Sequence, residues 1–113
     1  MSGISTHVLD TSRGRPAAGI AVILESAKPD GTFAELSRGM TDVEGRIADL
    51  HPSGALPRGE YRLRFLTGDY LRDRGDAAFY PEVPVRFAID DAAGRYHLPL
   101  LLSPFGYSTY RGS

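Results

Sequence analysis

Hydrophobicity alternates with a period of two in several short segments of this 113-residue chain, and glycine and proline separate those segments. In the clearest case Tyr61, Leu63 and Phe65 fall on one side of the segment. Arg62 and Arg64 fall on the other side. The 13 glycines and 8 prolines supply the turns between segments. One face of an antiparallel sheet is commonly buried and the other solvated, so the pattern predicts an all-β chain.

The alternation predicts eight short strands, which is typical of a two-sheet antiparallel sandwich. They lie at residues 4–10, 19–26, 33–40, 46–50, 61–67, 83–89, 96–103 and 107–113. Pro84 predicts a free edge for its strand, because proline donates no ladder hydrogen bond. Residues 69–74, followed by Gly75, predict one short helix. Residues 29–31 and 42–45 carry the turn chemistry of hairpin loops.

Length and composition limit the classes of function. A chain of 113 residues has room for one core, and we expect a single domain over residues 1–113. The net charge of −1, with basic and acidic residues interspersed, recommends neither a nucleic acid nor a membrane as partner. Without cysteine there is no disulfide, thiolate nucleophile or Cys-ligated zinc. With no signal-peptide pattern and no peroxisomal tripeptide, we expect a soluble, cytoplasmic protein.

Two histidines lie on predicted strands, away from the more apolar face of each strand. His7 alternates with Ile4, Thr6 and Val8, and His97 alternates with Tyr96, Leu98, Leu100 and Leu102. Arg46 opens a strand after a turn, where its guanidinium could be held rigidly toward a planar anion or a polarised carbonyl. Taken singly, a histidine or arginine at such a position is more often an ordinary surface group than a catalytic one. We interpret His51, which lies in a loop, as such a surface group.

Other catalytic patterns are missing from the sequence. Two strand histidines without a patterned carboxylate supply too few ligands, so we predict no metal site. The chain has no Gly-x-Ser-x-Gly elbow and no glycine-rich phosphate loop. Residues 107–113 combine β propensity with several hydroxyls and one guanidinium. We therefore expect a final strand that brings polar groups to a cavity.

Five blocks of sequence, in order along the chain, carry a family resemblance. They are residues 5–11 (STHVLDT), 16–19 (PAAG), 41–46 (TDVEGR), 96–104 (YHLPLLLSP) and 110–113 (YRGS). Together they resemble the 5-hydroxyisourate hydrolases, the transthyretin-related enzymes of urate degradation. Phe105 stands where that family often has tryptophan. Hormone-carrying transthyretins resemble the fold but lack the Tyr-Arg-Gly-Ser ending, so the resemblance favours the enzyme.

The resemblance implies a transthyretin-like (prealbumin-like) sandwich that hydrolyses 5-hydroxyisourate to 2-oxo-4-hydroxy-4-carboxy-5-ureidoimidazoline without a cofactor. It implies a homotetramer with active sites at the subunit interface. The implied catalytic set is His7, Arg46, His97 and Ser113. The implied substrate-binding set is His7, Arg46, Tyr110, Arg111 and Gly112, with Tyr110 and Ser113 the tail groups closest to substrate. Either histidine could be the base that activates water, and Arg46 would stabilise the oxyanion.

Two other classes of function stay open at this point. The first is a non-catalytic transthyretin-like or immunoglobulin-like module that binds a small ligand. It predicts no acceleration of substrate decay. The second is a structural or adhesive sandwich repeat, which is disfavoured by the lack of linker-like sequence and export signals. Such a repeat predicts a monomer.

Overall fold

A computed structural model describes residues 3–52 and 54–113 of the chain, and within them nine strands and one short helix form. The elements are β1 (Gly3–Asp10), β2 (Arg15–Pro16), β3 (Ala21–Ala27), β4 (Phe33–Met40), β5 (Arg46–Ile47), β6 (Gly59–Phe65), α1 (Thr67–Asp73), β7 (Val83–Ile89), β8 (Arg95–Ser103) and β9 (Gly106–Thr109). The predicted all-β sandwich with one helix is confirmed. The ninth strand is β2, which is too short for a period of two to reveal.

The strands form two sheets that pack face to face over one hydrophobic core. In the five-stranded sheet β1 lies next to β8, and β9 follows β8. Strands β2 and β5 occupy successive stretches of the other edge of β1. The four-stranded sheet has the order β4-β3-β6-β7. The side chains buried between the sheets include Ile4, Val8, Leu24, Leu63, Phe65, Leu100 and Leu102.

One pair of strands departs from the antiparallel prediction. Strands β1 and β8 run parallel in an unbroken register from Gly3 opposite Arg95 to Asp10 opposite Leu102. The alternation of side chains is the same in parallel and antiparallel strands, so it reports which residues are buried and not the direction of the neighbour. The pairing joins the two ends of the sequence in the middle of one sheet.

The predicted hairpin at residues 42–45 is a connection between the sheets. Strand β5 pairs with β1 and not with β4, and it is shorter than the predicted strand at 46–50. Gly45 has φ 75°, a conformation that favours glycine, and its carbonyl accepts a hydrogen bond of 2.7 Å from the Val8 N–H. A Cβ on Gly45 would collide with the Val8 carbonyl. The turn is thus locked onto β1, which fixes where β5 begins.

The predicted turn, helix and edge strand agree with the structure, whereas the strand predicted at 61–67 is observed at Gly59–Phe65 and Thr67 begins the helix. The turn at 29–31 closes the β3–β4 hairpin. Helix α1 covers most of the predicted helix and is followed by Gly75 at φ 78°. Pro84 lies on β7, whose only ladder partner among the described strands is β6, so β7 is the edge strand that this proline predicts. None of the helical structure in residues 3–52 and 54–113 has the length and apolar character needed to cross a bilayer.

Candidate active site

The outer face of the five-stranded sheet carries the polar residues that the alternation singled out. Along β1 every second side chain is buried, namely Ile4, Thr6, Val8 and Asp10. Ser5 and His7 alternate with them and are half-buried on the opposite face. The predicted orientation of His7, away from the apolar face of its strand, is therefore confirmed.

Strand β8 places His97 on the same outer face. Tyr96, Leu98 and Leu100 point into the core, whereas His97 between them is half-buried. In the parallel register His97 lies opposite Ser5, and the Ser5 Oγ is 2.8 Å from His97 Nδ1. The predicted orientation of His97 is confirmed. His97 lies opposite Ser5, and His7 is the next residue of β1 on the same face of the sheet.

Arg46 lies directly opposite His7 in the short β1–β5 pair, so their side chains share the outer face. The turn before it is held by Asp42, whose carboxylate accepts hydrogen bonds of 2.9 Å from the N–H groups of Arg46 and Glu44. The Arg46 N–H is the largest of the contacts that keep the pKa of Asp42 below its usual value. The backbone of Arg46 is fixed while its side chain is exposed.

The residues after β9 continue alongside β8 in the same register. Gly112 forms an isolated antiparallel bridge with His97, and its N–H donates a 2.7 Å hydrogen bond to the His97 carbonyl. A Cβ at Gly112 would lie 2.6 Å from His97 Cδ2 and 3.3 Å from Cγ. The imidazole therefore packs against the backbone of the tail at a distance that only glycine allows. The final strand, predicted over residues 107–113, is observed at Gly106–Thr109 and so ends earlier than predicted, and Gly112 beyond it forms the isolated bridge.

A cleft of about 520 Å³ opens on this face. It brings together four of the predicted site residues, Arg46, His97, Gly112 and Ser113. The other lining residues are Ser5, Thr6, Ile47, Ala48 and Arg95. His7 does not line the cleft but lies beside it, across the strand pair from Arg46.

The structure places the other two predicted tail residues elsewhere. Tyr110 and Arg111 line a neighbouring cleft of about 210 Å³, between the edge of β7 and strand β8. The Arg111 guanidinium carbon lies 4.4 Å from the centre of the Tyr96 ring. Tyr110 is 57% exposed. Within the chain the tail thus lines two clefts, with Gly112 and Ser113 on the side of His97.

The surroundings of His97 favour its neutral form. Burial is the largest cause that lowers the pKa of this imidazole, and the nearby charges of His7 and Arg46 lower it further. A hydrogen bond to the Ser5 backbone acts in the opposite direction without reversing the shift. The lowered pKa favours the neutral ring at neutral pH, and a neutral imidazole can accept a proton from water.

Sequence reasoning missed Ser5 and Arg95 as lining residues. Each precedes a strand histidine by two positions, so the period of a strand places it on the same face, and that signal was available. His51 lies apart from the cleft, with Nδ1 3.3 Å from the Ser37 Oγ. In the described ranges, no group of three or more His, Asp or Glu side chains is arranged to hold a metal ion.

Comparison with known proteins places the chain in a family. The model of the HIUase/Transthyretin family matches residues 4–112. The chain belongs to that family. The 5-hydroxyisourate hydrolase of Salmonella typhimurium is 47% identical over 110 residues, which cover 97% of this chain and 80% of that protein.

Solved structures of the HIUase/transthyretin family agree with the fold. The 5-hydroxyisourate hydrolase of Klebsiella pneumoniae has a TM-score of 0.86 at 37% identity and covers 98% of this chain and 99% of its own. Sea bream transthyretin in complex with thyroxine has a TM-score of 0.90 at 32% identity, with 97% and 94% covered. Both the hydrolase and the thyroxine-bound transthyretin share the sandwich, so the fold alone does not choose between their functions.

Proposed function

We propose that this chain is a hydrolase that opens the six-membered ring of 5-hydroxyisourate to give 2-oxo-4-hydroxy-4-carboxy-5-ureidoimidazoline. The observation that carries the proposal is that Arg46, His97 and Ser113 line the same cleft. Its volume of about 520 Å³ suits a planar bicyclic molecule. Relatives with the name of this enzyme are 42–47% identical to the chain over nearly its whole length.

The chemistry follows from an imidazole and a guanidinium on one sheet face. A water oxygen attacks a ring carbonyl while a neutral histidine takes its proton, and the carbonyl oxygen becomes negatively charged. The Arg46 guanidinium lies where it can stabilise that charge, which is worth about 3 kcal/mol for one such donor in a water-poor site. Collapse of the tetrahedral species then breaks the carbon–nitrogen bond, and the histidine returns the proton to the leaving nitrogen.

His7 and the tail complete the proposed site. His7, opposite Arg46, adds a second imidazole beside the substrate. Gly112 and Ser113 supply polar backbone and hydroxyl groups at the edge of the cleft. Tyr110 and Arg111 stay in the proposal as substrate-binding residues that act from a neighbouring subunit, because they face the adjacent cleft in their own chain.

We also propose a homotetramer with the clefts at the subunit interface. The outer sheet face that carries the cleft is open, and Arg46 on it is exposed. A facing subunit would close the cleft and exclude water, which strengthens electrostatic interactions inside it. Light scattering coupled to size-exclusion chromatography should give four times the mass of the chain. A monomer that is fully active would contradict this assembly.

The test of function follows the decay of 5-hydroxyisourate, generated from urate by urate oxidase, against the uncatalysed rate. The wild type should accelerate decay, and the His7→Asn, His97→Asn double variant should not. His51→Asn is the matched control, because this histidine lies outside the cleft. Arg46→Ala should lower kcat about 10²-fold. If folded wild-type protein does not accelerate decay, the proposal is wrong.

Carriage of a small ligand is the second candidate. The TM-score of 0.90 to thyroxine-bound sea bream transthyretin is the observation that favours it. It predicts that the chain binds a small aromatic ligand stoichiometrically and does not accelerate the decay of 5-hydroxyisourate. Isothermal titration with thyroxine, next to the decay assay, separates the two candidates.

A further inference from the structure

Two contacts hold the imidazole of His97 from opposite edges of the ring. The Ser5 Oγ is 2.8 Å from Nδ1, and the Gly112 backbone is so close that a Cβ there would be 2.6 Å from Cδ2. Nδ1 and Cδ2 both flank the carbon that attaches the ring to the chain. The end of the ring left without such a contact is therefore the one that carries Nε2.

The contact with the Ser5 Oγ bears on which nitrogen carries the single proton of the neutral ring. A hydroxyl can donate or accept, so the Oγ contact alone does not decide. Because the Ser5 Oγ occupies Nδ1, Nε2 is the ring nitrogen left to take a proton from water in the cleft. A neutral imidazole whose Nε2 lone pair is free carries its proton on Nδ1. In that state the Ser5 Oγ accepts the hydrogen bond from Nδ1–H.

We propose that Ser5 is a positioning residue that keeps the proton of His97 on Nδ1 and leaves the lone pair of Nε2 toward the cleft. The catalytic consequence of this role rests on the proposed function, and it makes His97, and not His7, the base that activates water. The arrangement is the one by which a hydrogen-bonded partner on Nδ1 sets the tautomer of a general base. The other titratable groups near the ring are His7 on β1, Arg46 on β5 and Arg95 on β8 itself, and the two arginines line the same cleft.

Ser5→Ala in the full chain tests the role through kinetics. We expect kcat to fall about tenfold with KM changed less than about twofold, which is the loss expected for one hydrogen bond acting on the reacting group. Ser5→Thr keeps a hydroxyl and should restore most of kcat. Ser26→Ala removes a serine hydroxyl from β3 in the other sheet and should leave kcat unchanged.

The pH profile separates the two possible directions of the hydrogen bond. If the Ser5 Oγ accepts from Nδ1–H it stabilises the charged ring, so Ser5→Ala lowers the pKa of His97 and moves the acid limb of kcat/KM to lower pH. If the Oγ donates it stabilises the neutral ring, and the limb moves to higher pH. A shift to higher pH, or an unchanged kcat in Ser5→Ala, overturns the proposal.

A measurement independent of activity completes the test. In ¹⁵N-labelled protein, the imidazole nitrogens of His97 should give Nδ1 as the protonated nitrogen and Nε2 as the unprotonated one. Ser5→Ala should raise the fraction protonated on Nε2, while circular dichroism checks that the variant is folded. Protonation of Nε2 in the wild type overturns the role of Ser5. Absence of any catalysis by a wild type with the Nδ1–H tautomer overturns the proposed function and leaves the tautomer assignment standing.

Discussion

A single methyl group added to the tail should separate activity from stability. Gly112 is not at a positive φ, so its conformation is open to alanine, and the restriction at this position is steric. The added Cβ would lie 2.6 Å from His97 Cδ2 and 3.4 Å from the His97 carbonyl oxygen. Gly112→Ala must therefore displace either the imidazole or the tail.

The size of the effect follows from that distance. Carbon atoms in contact are normally about 3.5–4.0 Å apart, so the ring or the tail must move by about 1 Å. A misplacement of about 1 Å at a reacting group costs about 10²-fold in rate. That loss in kcat/KM corresponds to about 2.7 kcal/mol of transition-state stabilisation. The tail can yield by releasing one hydrogen bond, from the Gly112 N–H to His97, which is worth about 1 kcal/mol.

Two measurements on the same sample check this prediction. Decay of 5-hydroxyisourate gives kcat/KM, and a thermal melt by circular dichroism should give a Tm lowered by no more than about 5 °C. Gly106→Ala is the matched control, because the nearest atom to its Cβ is the Ser103 Oγ at an ordinary 3.7 Å. Wild-type kcat/KM in Gly112→Ala would refute the reasoning that tail and ring are held in register.

Three further predictions concern charge and burial. Burial, His7 and Arg46, in that order, lower the pKa of His97. Arg46→Ala should therefore raise that pKa, and a pH profile of kcat/KM for its residual activity should have its acid limb at higher pH than in the wild type. Tyr70→Phe removes the 2.7 Å hydrogen bond to buried Asp10, and chemical denaturation should give a loss of about 1–3 kcal/mol in stability with kcat unchanged. Burial raises the pKa of Asp10, but its hydrogen bonds, led by that from Tyr70, lower the pKa below 3.8. The stability that the ionised carboxylate contributes is therefore present above that value and is lost as pH falls through the lowered pKa. In Asp10→Asn, Tm measured against pH should fall less steeply on the acid side.

The alternation of side chains predicted the parts of the fold that depend on burial. It placed His7 and His97 on the outer face, because each strand must bury its apolar set. It did not give the parallel direction of β8 beside β1, since period two is the same for either direction. The two-residue strand β2 was missed because its neighbours carry too little pattern.

The site was only partly predictable for a similar reason. Turn chemistry at residues 42–45 predicted a reversal of the chain but not which strand the chain would join afterwards. The pairing of Arg46 with His7 therefore came from the structure. Ser5 could have been found, since it shares a face with His7, but its contact with His97 depends on a register between strands that are 92 residues apart.

The parallel pairing of β1 with β8 has a consequence for how the protein folds during its synthesis. Paired residues such as Ser5 and His97 are 92 positions apart in the sequence. At a synthesis rate of about 5–20 residues per second, β1 therefore leaves the ribosome about 5–20 s before β8, the strand it pairs with. Until then Ile4 and Val8 lack the neighbours that bury them. Closing so distant a contact is slow. The cleft is therefore among the last features to form, and recovered catalysis would mark completed folding.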